Sequence, residues 1–300
     1  MHGCRDSRPA VLTGPCLIEK VPNDVIARQV ATALAEDLGA GDVTAALVPE
    51  TQQVRAQIVA REPAILCGCD WVEATFRQLD PAVRLEWLAH DGERIVTNLP
   101  VLRLSGPARP ILTGERTALN FLQTLSATAT AAARYVEAVA GTPCHILDTR
   151  KTLPGLRLAQ KYAARCGGAR NHRLGLYDMV LIKENHIIAA GSITHAVEAA
   201  RRTSPGVPVE VEVESLQEFE LALDAGADII MLDELSHADM REAVARNRSR
   251  GGKAKLEASG SVTLETVRDI ALTGVDYISI GGITKHVQAV DLSMRCEFIS

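Results

Sequence analysis

The chain predicts an α/β fold built on a small or incomplete (β/α) barrel, and three observations carry that reading. After Gly141 short apolar strands alternate with helical segments, a rhythm that implies parallel strands joined by right-handed crossovers. Strand after strand ends in side chains capable of chemistry. No G-x-G-x-x-G follows the first strand, which disfavours the runner-up, an open doubly wound sheet.

The elements follow in order. Asn23 is placed to cap a helix running to about Leu38, with Val25, Ile26, Val30, Leu34 and Leu38 on one face and Gly39 as its stop. Val54, Ala56 and Ile58 alternate with polar residues, as do Val83, Leu85 and Trp87, so half-buried strands are expected there. A helix over 71–79 separates them. The Ala- and Leu-rich stretch 114–139, free of proline, reads as one long helix or two broken ones.

Strands are then expected at 145–148, 179–183, 209–213, 228–232, 255–258 and 277–280, and Ser215 with Glu218 forms a capping box for the helix 215–225. The strand ends carry Asp148, Arg150 and Lys151; Lys183, Glu184 and His186; Glu212 and Glu214; Asp233; and Glu257 and Ser259. A barrel gathers such ends into one ring on its active face, and six strands are too few for the usual eight.

Composition sets the class. A 300-residue chain with 47% hydrophobic and 23% charged residues buries a sizeable core as an ordinary globular protein. No apolar run reaches the ~18 residues of a membrane span, and the first twenty residues lack the apolar stretch of a signal peptide. The seven cysteines are odd in number and scattered, and Cys67 with Cys69 lacks the second pair of a zinc site. Free thiols in a reducing cytosol, and hence a cytoplasmic protein, are expected. The net charge of −5 argues against nucleic acid or acidic membranes as partners. Against that background, 150–186 holds five Arg and three Lys opposed only by Asp178 and Glu184, a basic island suited to a small anion.

Four constellations bear on chemistry. D-T-R-K-T, with Thr149, Arg150 and Lys151, offers a planar fork and a point charge beside hydroxyls, suited to carboxylate or phosphate unless it is only a solvated loop. In C-G-G-A-R-N-H-R the paired glycines stop the helix 157–165, and His172 and Arg173 then project from a fixed loop that is followed by Lys183 at a strand end; a helix end with ordinary favourable charges is the bland alternative. In V-E-V-E-V-E, alternation sends Glu210, Glu212 and Glu214 to one face. Buried acids need cations or metal, and with Asp233 these suit Mg²⁺, although ion pairing with the basic island also satisfies them. Finally, Ser259-Gly260-Ser261 and Ile280-Gly281-Gly282 expose backbone N–H groups after the last strands, where a terminal phosphate fits.

The strings E-D-L-G-A-G-D-V-T from Glu36, G-E-R-T-A-L-N-F-L-Q from Gly114, L-R-L-A-Q-K-Y-A from Leu156, N-H-R-L-G-L-Y-D from Asn171, L-I-K-E-N-H from Leu181 and G-A-D-I-I-M-L-D from Gly226 resemble the quinolinate phosphoribosyltransferase family. The resemblance spans about Val21 to Arg295. It implies a type II phosphoribosyltransferase-like fold: an N-terminal α/β sandwich over 21–118, rejoined by the tail 286–300, and an incomplete (β/α) barrel over 119–285, with 1–20 as an extension.

The implied activity joins quinolinate to the phosphoribosyl group of phosphoribosyl pyrophosphate with decarboxylation, giving nicotinate mononucleotide for NAD biosynthesis. Also implied is a homodimer with shared sites, alone or within a larger assembly, in which Arg116 reaches the partner's site. Arg150, Lys151, His172, Arg173 and Lys183 would line the quinolinate and pyrophosphate pocket, with Thr149 beside them. Glu212 and Asp233 would serve the ribose hydroxyls and Mg²⁺, with no organic cofactor. Lys151, Lys183, Glu212 and Asp233 are the expected catalytic set, while Ser259, Gly260, Ser261, Ile280, Gly281 and Gly282 would hold the phosphate. Ala169, Ser261 and Gly282-Ile283 depart from the family's usual residues. A sister transferase acting on another pyridine or azole acid, and a nucleotide-binding protein without activity, remain the alternatives.

Overall fold

A computed structural model describes residues 20–299; the expected extension over 1–20 lies, apart from Lys20, outside the described residues. Compactness divides the chain into two units: one comprises Arg134–Arg150 and Ala169–Gly281, the other the described residues up to Ala133, Lys151–Gly168 and the chain from Gly282 on. This differs from the expected boundary near 118. The reason is local packing: Ala159, Tyr162, Ala163 and Cys166 share one apolar cluster with Val30, Leu125, Ala129 and Ala133.

The sandwich unit begins with α1 (Asn23–Leu38), which buries Ile26, Val30 and Leu34. Pro22, not Asn23, is its N-cap, and no side chain caps it; its fixed φ of −54° already leads into a helix. Strand β1 (Gln53–Ala60) alternates as read, burying Val54, Ala56 and Ile58. It is followed by β2 (Ala64–Ile65), α2 (Cys69–Leu79), β3 (Arg84–Trp87), β4 (Arg94–Ile95), β5 (Pro100–Pro107) and α3 (Ala108–Ala138). Helix α3 is single and starts six residues before the expected stretch, because Pro110 falls in its first turn, where its missing N–H has no helical partner to lose. Ile111, Ala118, Leu119, Leu122, Leu125 and Ala129 form its buried stripe.

In the barrel unit β6 (His145–Leu147) precedes β7 (Val180–Ile182), α5 (Glu184–Ala190), α6 (Ile193–Thr203), β8 (Val209–Val213), α7 (Leu216–Asp224), β9 (Ile229–Asp233), α8 (His237–Ser249), β10 (Lys255–Ser259), α9 (Val267–Ala271) and β11 (Tyr277–Ser279). Helix α4 (Arg157–Cys166), between β6 and β7, belongs to the sandwich unit. So do α10 (Gly282–Lys285) and β12 (Leu292–Ile299). Strand β12 pairs with β1 along all eight residues in a four-stranded sheet ordered β12-β1-β5-β3, so the tail returns to the N-terminal sheet.

All six expected barrel strands form, and every pairing among them is parallel. Their order, β6-β11-β10-β9-β8-β7, is chain order around a ring opened between β6 and β7. A doubly wound sheet would reverse direction in mid-sheet, and no reversal occurs. Beside β6, where a further strand would pair, there is one bridge, Leu147 to Arg170.

Register decides which side chains meet. Glu212 pairs with Met231, Met231 with Glu257, and Asp233 with Ser259, placing them on one face with Glu210. Val209, Val211 and Val213 point the other way, fully buried where α6 and α7 pack on β8, each contributing about 1.5–3 kcal/mol. Ser215 caps α7 by accepting the Glu218 N–H. Glu218 reaches back one residue further than a capping box requires, to the Glu214 N–H.

Candidate active site

At the end of β6 the Asp148 carboxylate has no exposed surface. It accepts the His172 N–H at 3.0 Å and the Asn171 side-chain amide at 2.5 Å, while its own N–H donates to the Arg170 carbonyl. The Arg170–Arg173 loop is thereby laid across the strand end. His172 Nδ1 accepts the Arg173 N–H at 2.8 Å. That contact assigns the ring proton to Nε2, which lies 2.9 Å from Glu210 Oε2 and 3.7 Å from Glu257 Oε2.

Glu210 on β8 and Glu257 on β10 are fully buried, two strands apart. Burial disfavours their charged forms and pushes both up to about 8. For Glu210, Arg173 opposes the rise; for Glu257, Glu210 adds to it. The Arg173 guanidinium is shifted downward, first by burial and then by the Arg150 guanidinium beside it. Two guanidiniums near enough to feel one another's charge suit a carboxylate or phosphate.

Further round the ring, Lys183 and Glu212 form an ion pair, with Glu212 the more buried partner at 16% side-chain exposure against 45% for Lys183. Lys183 precedes α5, and its backbone N–H donates to His186 Nδ1 at 3.0 Å, which fixes the strand-to-helix turn. Asp233 ends β9 half-buried, and Ser259 ends β10 beside it. Of the expected acids, Glu210 is buried, Glu212 intermediate and Glu214 exposed, so the row climbs from the floor of the barrel to its rim.

Glu212 and Asp233 are oxygen donors with access to water, a set that fits Mg²⁺. His172, Glu210 and Glu257 also bring ligand atoms within 4.8 Å of one another. That cluster is closed on all sides, whereas Mg²⁺ keeps several waters; a shared proton suits it better.

The Ser259-Gly260-Ser261 loop carries a feature the sequence reading missed. Glu234, at φ +53°, accepts the Ser261 hydroxyl at 2.8 Å and donates its N–H to the Ser259 carbonyl. Gly260 is at φ +98°, a backbone conformation that strains any side chain, and a Cβ there would also stand 2.4 Å from the movable Glu234 carboxyl carbon. An acid thus lies against the loop expected to receive phosphate. Ile280 is buried and donates its N–H to the Leu147 carbonyl, with Gly281 half-exposed after it. Thr149 and Arg150 are half-buried.

The sandwich unit holds the remaining expected residues. Arg116 is exposed on α3 and lines a cavity of about 200 Å³ with Glu36, Asp37, Asn120 and Thr124. The Lys151 carbonyl accepts the Thr284 hydroxyl, and Gly282 opens α10. A wider cavity of about 570 Å³, on the sheet face that carries Arg55, Arg84, Arg103 and Arg295, contains none of the candidate residues. Gly167 lets α4 approach α3, since a Cβ there would lie 2.2 Å from the Ala129 carbonyl oxygen. Gly168, at φ +88°, then turns the chain. The five described cysteines are free thiols, and no helix among the described residues is long and apolar enough to cross a membrane.

Two family models match the chain: quinolinate phosphoribosyl transferase, N-terminal domain, over residues 42–126, and its C-terminal domain over residues 128–295. A probable nicotinate-nucleotide pyrophosphorylase [carboxylating] of Synechocystis is 42% identical over 263 residues, 87% of this chain and 89% of that protein. A quinolinate phosphoribosyltransferase [decarboxylating] of Nicotiana tabacum is 38% identical over 283 residues, covering 88% and 80%. The solved nicotinate-nucleotide pyrophosphorylase from Francisella tularensis superimposes with a TM-score of 0.91 at 46% identity, covering 95% of this chain and all of that one.

Proposed function

The chain belongs to the quinolinate phosphoribosyltransferase family, and we propose that it transfers phosphoribosyl from phosphoribosyl pyrophosphate to quinolinate, releasing pyrophosphate and CO₂ and forming nicotinate mononucleotide for NAD biosynthesis. The observation that carries this reading is the crowding of Arg150 and Arg173 at strand ends, beside the ion-paired Lys183 and Glu212.

Arg150, Arg173 and Lys183 pair with the two carboxylates of quinolinate and hold its ring nitrogen in line with C1 of the sugar, His172 bracing the loop that carries Arg173. The nitrogen lone pair forms the new bond to C1 as the C1–oxygen bond breaks, and its electrons leave with pyrophosphate. The 2-carboxylate then departs as CO₂, its bonding pair staying on C2 next to the positive ring nitrogen, and C2 takes up a proton. Positioning and charge stabilisation suffice; no protein nucleophile is required.

Lys151 faces the growing charge on pyrophosphate, and Glu212 the ribose hydroxyls. Glu212 and Asp233 are the residues that would hold Mg²⁺ arriving with the donor, which supplies charge compensation for the leaving group. Thr149 and the loops Ser259–Ser261 and 280–282 serve the phosphate, Glu234 moving aside.

We further read the protein as a cytoplasmic homodimer whose Arg116 serves the partner's site. Val43, Leu47, Leu176, Tyr177 and Ile188, each at least 69% exposed, support an apolar contact of that kind. Incubating the purified chain with Mg²⁺, phosphoribosyl pyrophosphate and quinolinate labelled in its 2-carboxylate tests the reaction. Nicotinate mononucleotide and labelled CO₂ are expected in equal amounts; product that retains the label, or no product, rejects the reading.

A further inference from the structure

Gln160 lies on α4 with no exposed surface, where an amide needs partners for both its donor and its acceptor sides. Its Oε1 accepts the Leu153 N–H at 2.7 Å. Its Nε2 donates to the Thr284 carbonyl at 2.8 Å and to the Thr128 hydroxyl at 3.2 Å. Thr284, equally buried, donates its own hydroxyl to the Lys151 carbonyl at 2.8 Å. The bonds close a circuit from Lys151 through Leu153, Gln160 and Thr284 back to Lys151.

Neither backbone in this circuit is held by a sheet. Residues 148–156 form no helix or strand, and α10 is a single turn. Apolar neighbours such as Ala159, Tyr162 and Ala163 pack α4, but apolar contact cannot satisfy a loop's N–H and C=O groups. Directional bonds from a buried amide can, and they fix the loop's position as well.

We propose that Gln160 and Thr284 are positioning residues for the phosphoribosyl donor: they set the separation of Lys151 from Gly282. The proposal rests on the reading that Lys151 faces pyrophosphate and that Gly282 belongs to the phosphate loop. A loop freed by about 1 Å forfeits much of what orientation contributes, and the loss falls on the donor because both tethered segments serve it.

Thr284→Val keeps the side chain's shape and removes the hydroxyl; Thr284→Ser keeps the hydroxyl. With each substrate varied at saturation of the other, Thr284→Val is expected to lower kcat/KM for phosphoribosyl pyrophosphate about tenfold, the effect of one lost hydrogen bond. The KM for quinolinate should stay within about twofold, and Thr284→Ser should restore the donor value. Equal losses in Val and Ser, equal effects on both substrates, or wild-type donor kinetics in a folded Thr284→Val overturn the proposal. Amide hydrogen exchange separates this from failure of the proposed reaction, since it needs no substrate. The 151–156 segment should exchange about tenfold faster in Gln160→Met and Thr284→Val than in wild type. Unchanged exchange shows that the circuit does not hold the loop, whatever the enzyme's activity.

Discussion

Replacing Glu257 by glutamine tests whether the acid pair beneath His172 is held protonated. Burial, and then the Glu210 carboxylate, push Glu257 from an ordinary 4.5 to about 8. Between those values the folded protein retains a proton that the unfolded chain releases. Stability therefore falls as pH rises through this window and levels off above it, with a slope of about 1.4 kcal/mol per pH unit for one proton. Glutamine matches the protonated acid in shape and has no proton to release. Counting a single proton for the pair, wild type should lose about 3 kcal/mol relative to Glu257→Gln between about pH 5.5 and 7.5. At roughly 2 °C per kcal/mol for a chain of this size, the difference in Tm moves by about 5 °C. Calorimetry of both proteins in matched buffers reads that difference directly, because titrating groups remote from the pair cancel. A Tm difference that does not vary with pH would show that folded wild type holds no proton that folded Glu257→Gln lacks, and the assignment of the raised acid to Glu257 would be wrong.

Three further outcomes follow from the site and its supports. Asp91 accepts the Gly68 and Cys69 N–H groups at the start of α2 and the Tyr162 hydroxyl, so Asp91→Ala should cost about 2–4 kcal/mol in chemical denaturation; a loss below about 0.5 kcal/mol contradicts this. Glu234→Gln removes a negative charge from the Ser261 loop, and the KM for phosphoribosyl pyrophosphate should fall about threefold; a rise would mean that the carboxylate helps to bind the donor. Arg116→Ala and Lys183→Ala, each nearly inactive, should regain activity when their subunits are exchanged, since some mixed sites then carry both wild-type residues. Demonstrated exchange without recovery rules out shared sites.

The sequence made the barrel legible because its signal is local. Each strand is short, apolar and tipped with polar residues, and the alternation in V-E-V-E-V-E places Glu210 and Glu212 on one face without reference to any other strand. What it hid depends on distant partners. Glu257 meets Glu210 across the intervening β9, and nothing in L-E-A-S announces that encounter. The register of β12 on β1 joins residues more than two hundred positions apart. Gln160 and Lys161 look like the solvent face of a basic helix, yet both are buried, because α4 is enclosed on more than its apolar side. Glu234 could have drawn notice as the acid immediately after β9, but its left-handed backbone and its bond to Ser261 arise only when two neighbouring strand ends are set side by side.

The central claim is that the crowded cations read two carboxylates rather than one, and comparing quinolinate with nicotinate tests it most directly. Nicotinate lacks the carboxylate beside the ring nitrogen, so a cation among Arg150, Arg173 and Lys183 would be left without its partner. A site built around a polar group rejects the analogue lacking it by roughly 10⁴-fold. The account predicts that kcat/KM for quinolinate exceeds that for nicotinate by at least about a thousandfold in one preparation. Comparable values for the two acids would contradict it, leaving a phosphoribosyltransferase whose defining substrate is not quinolinate.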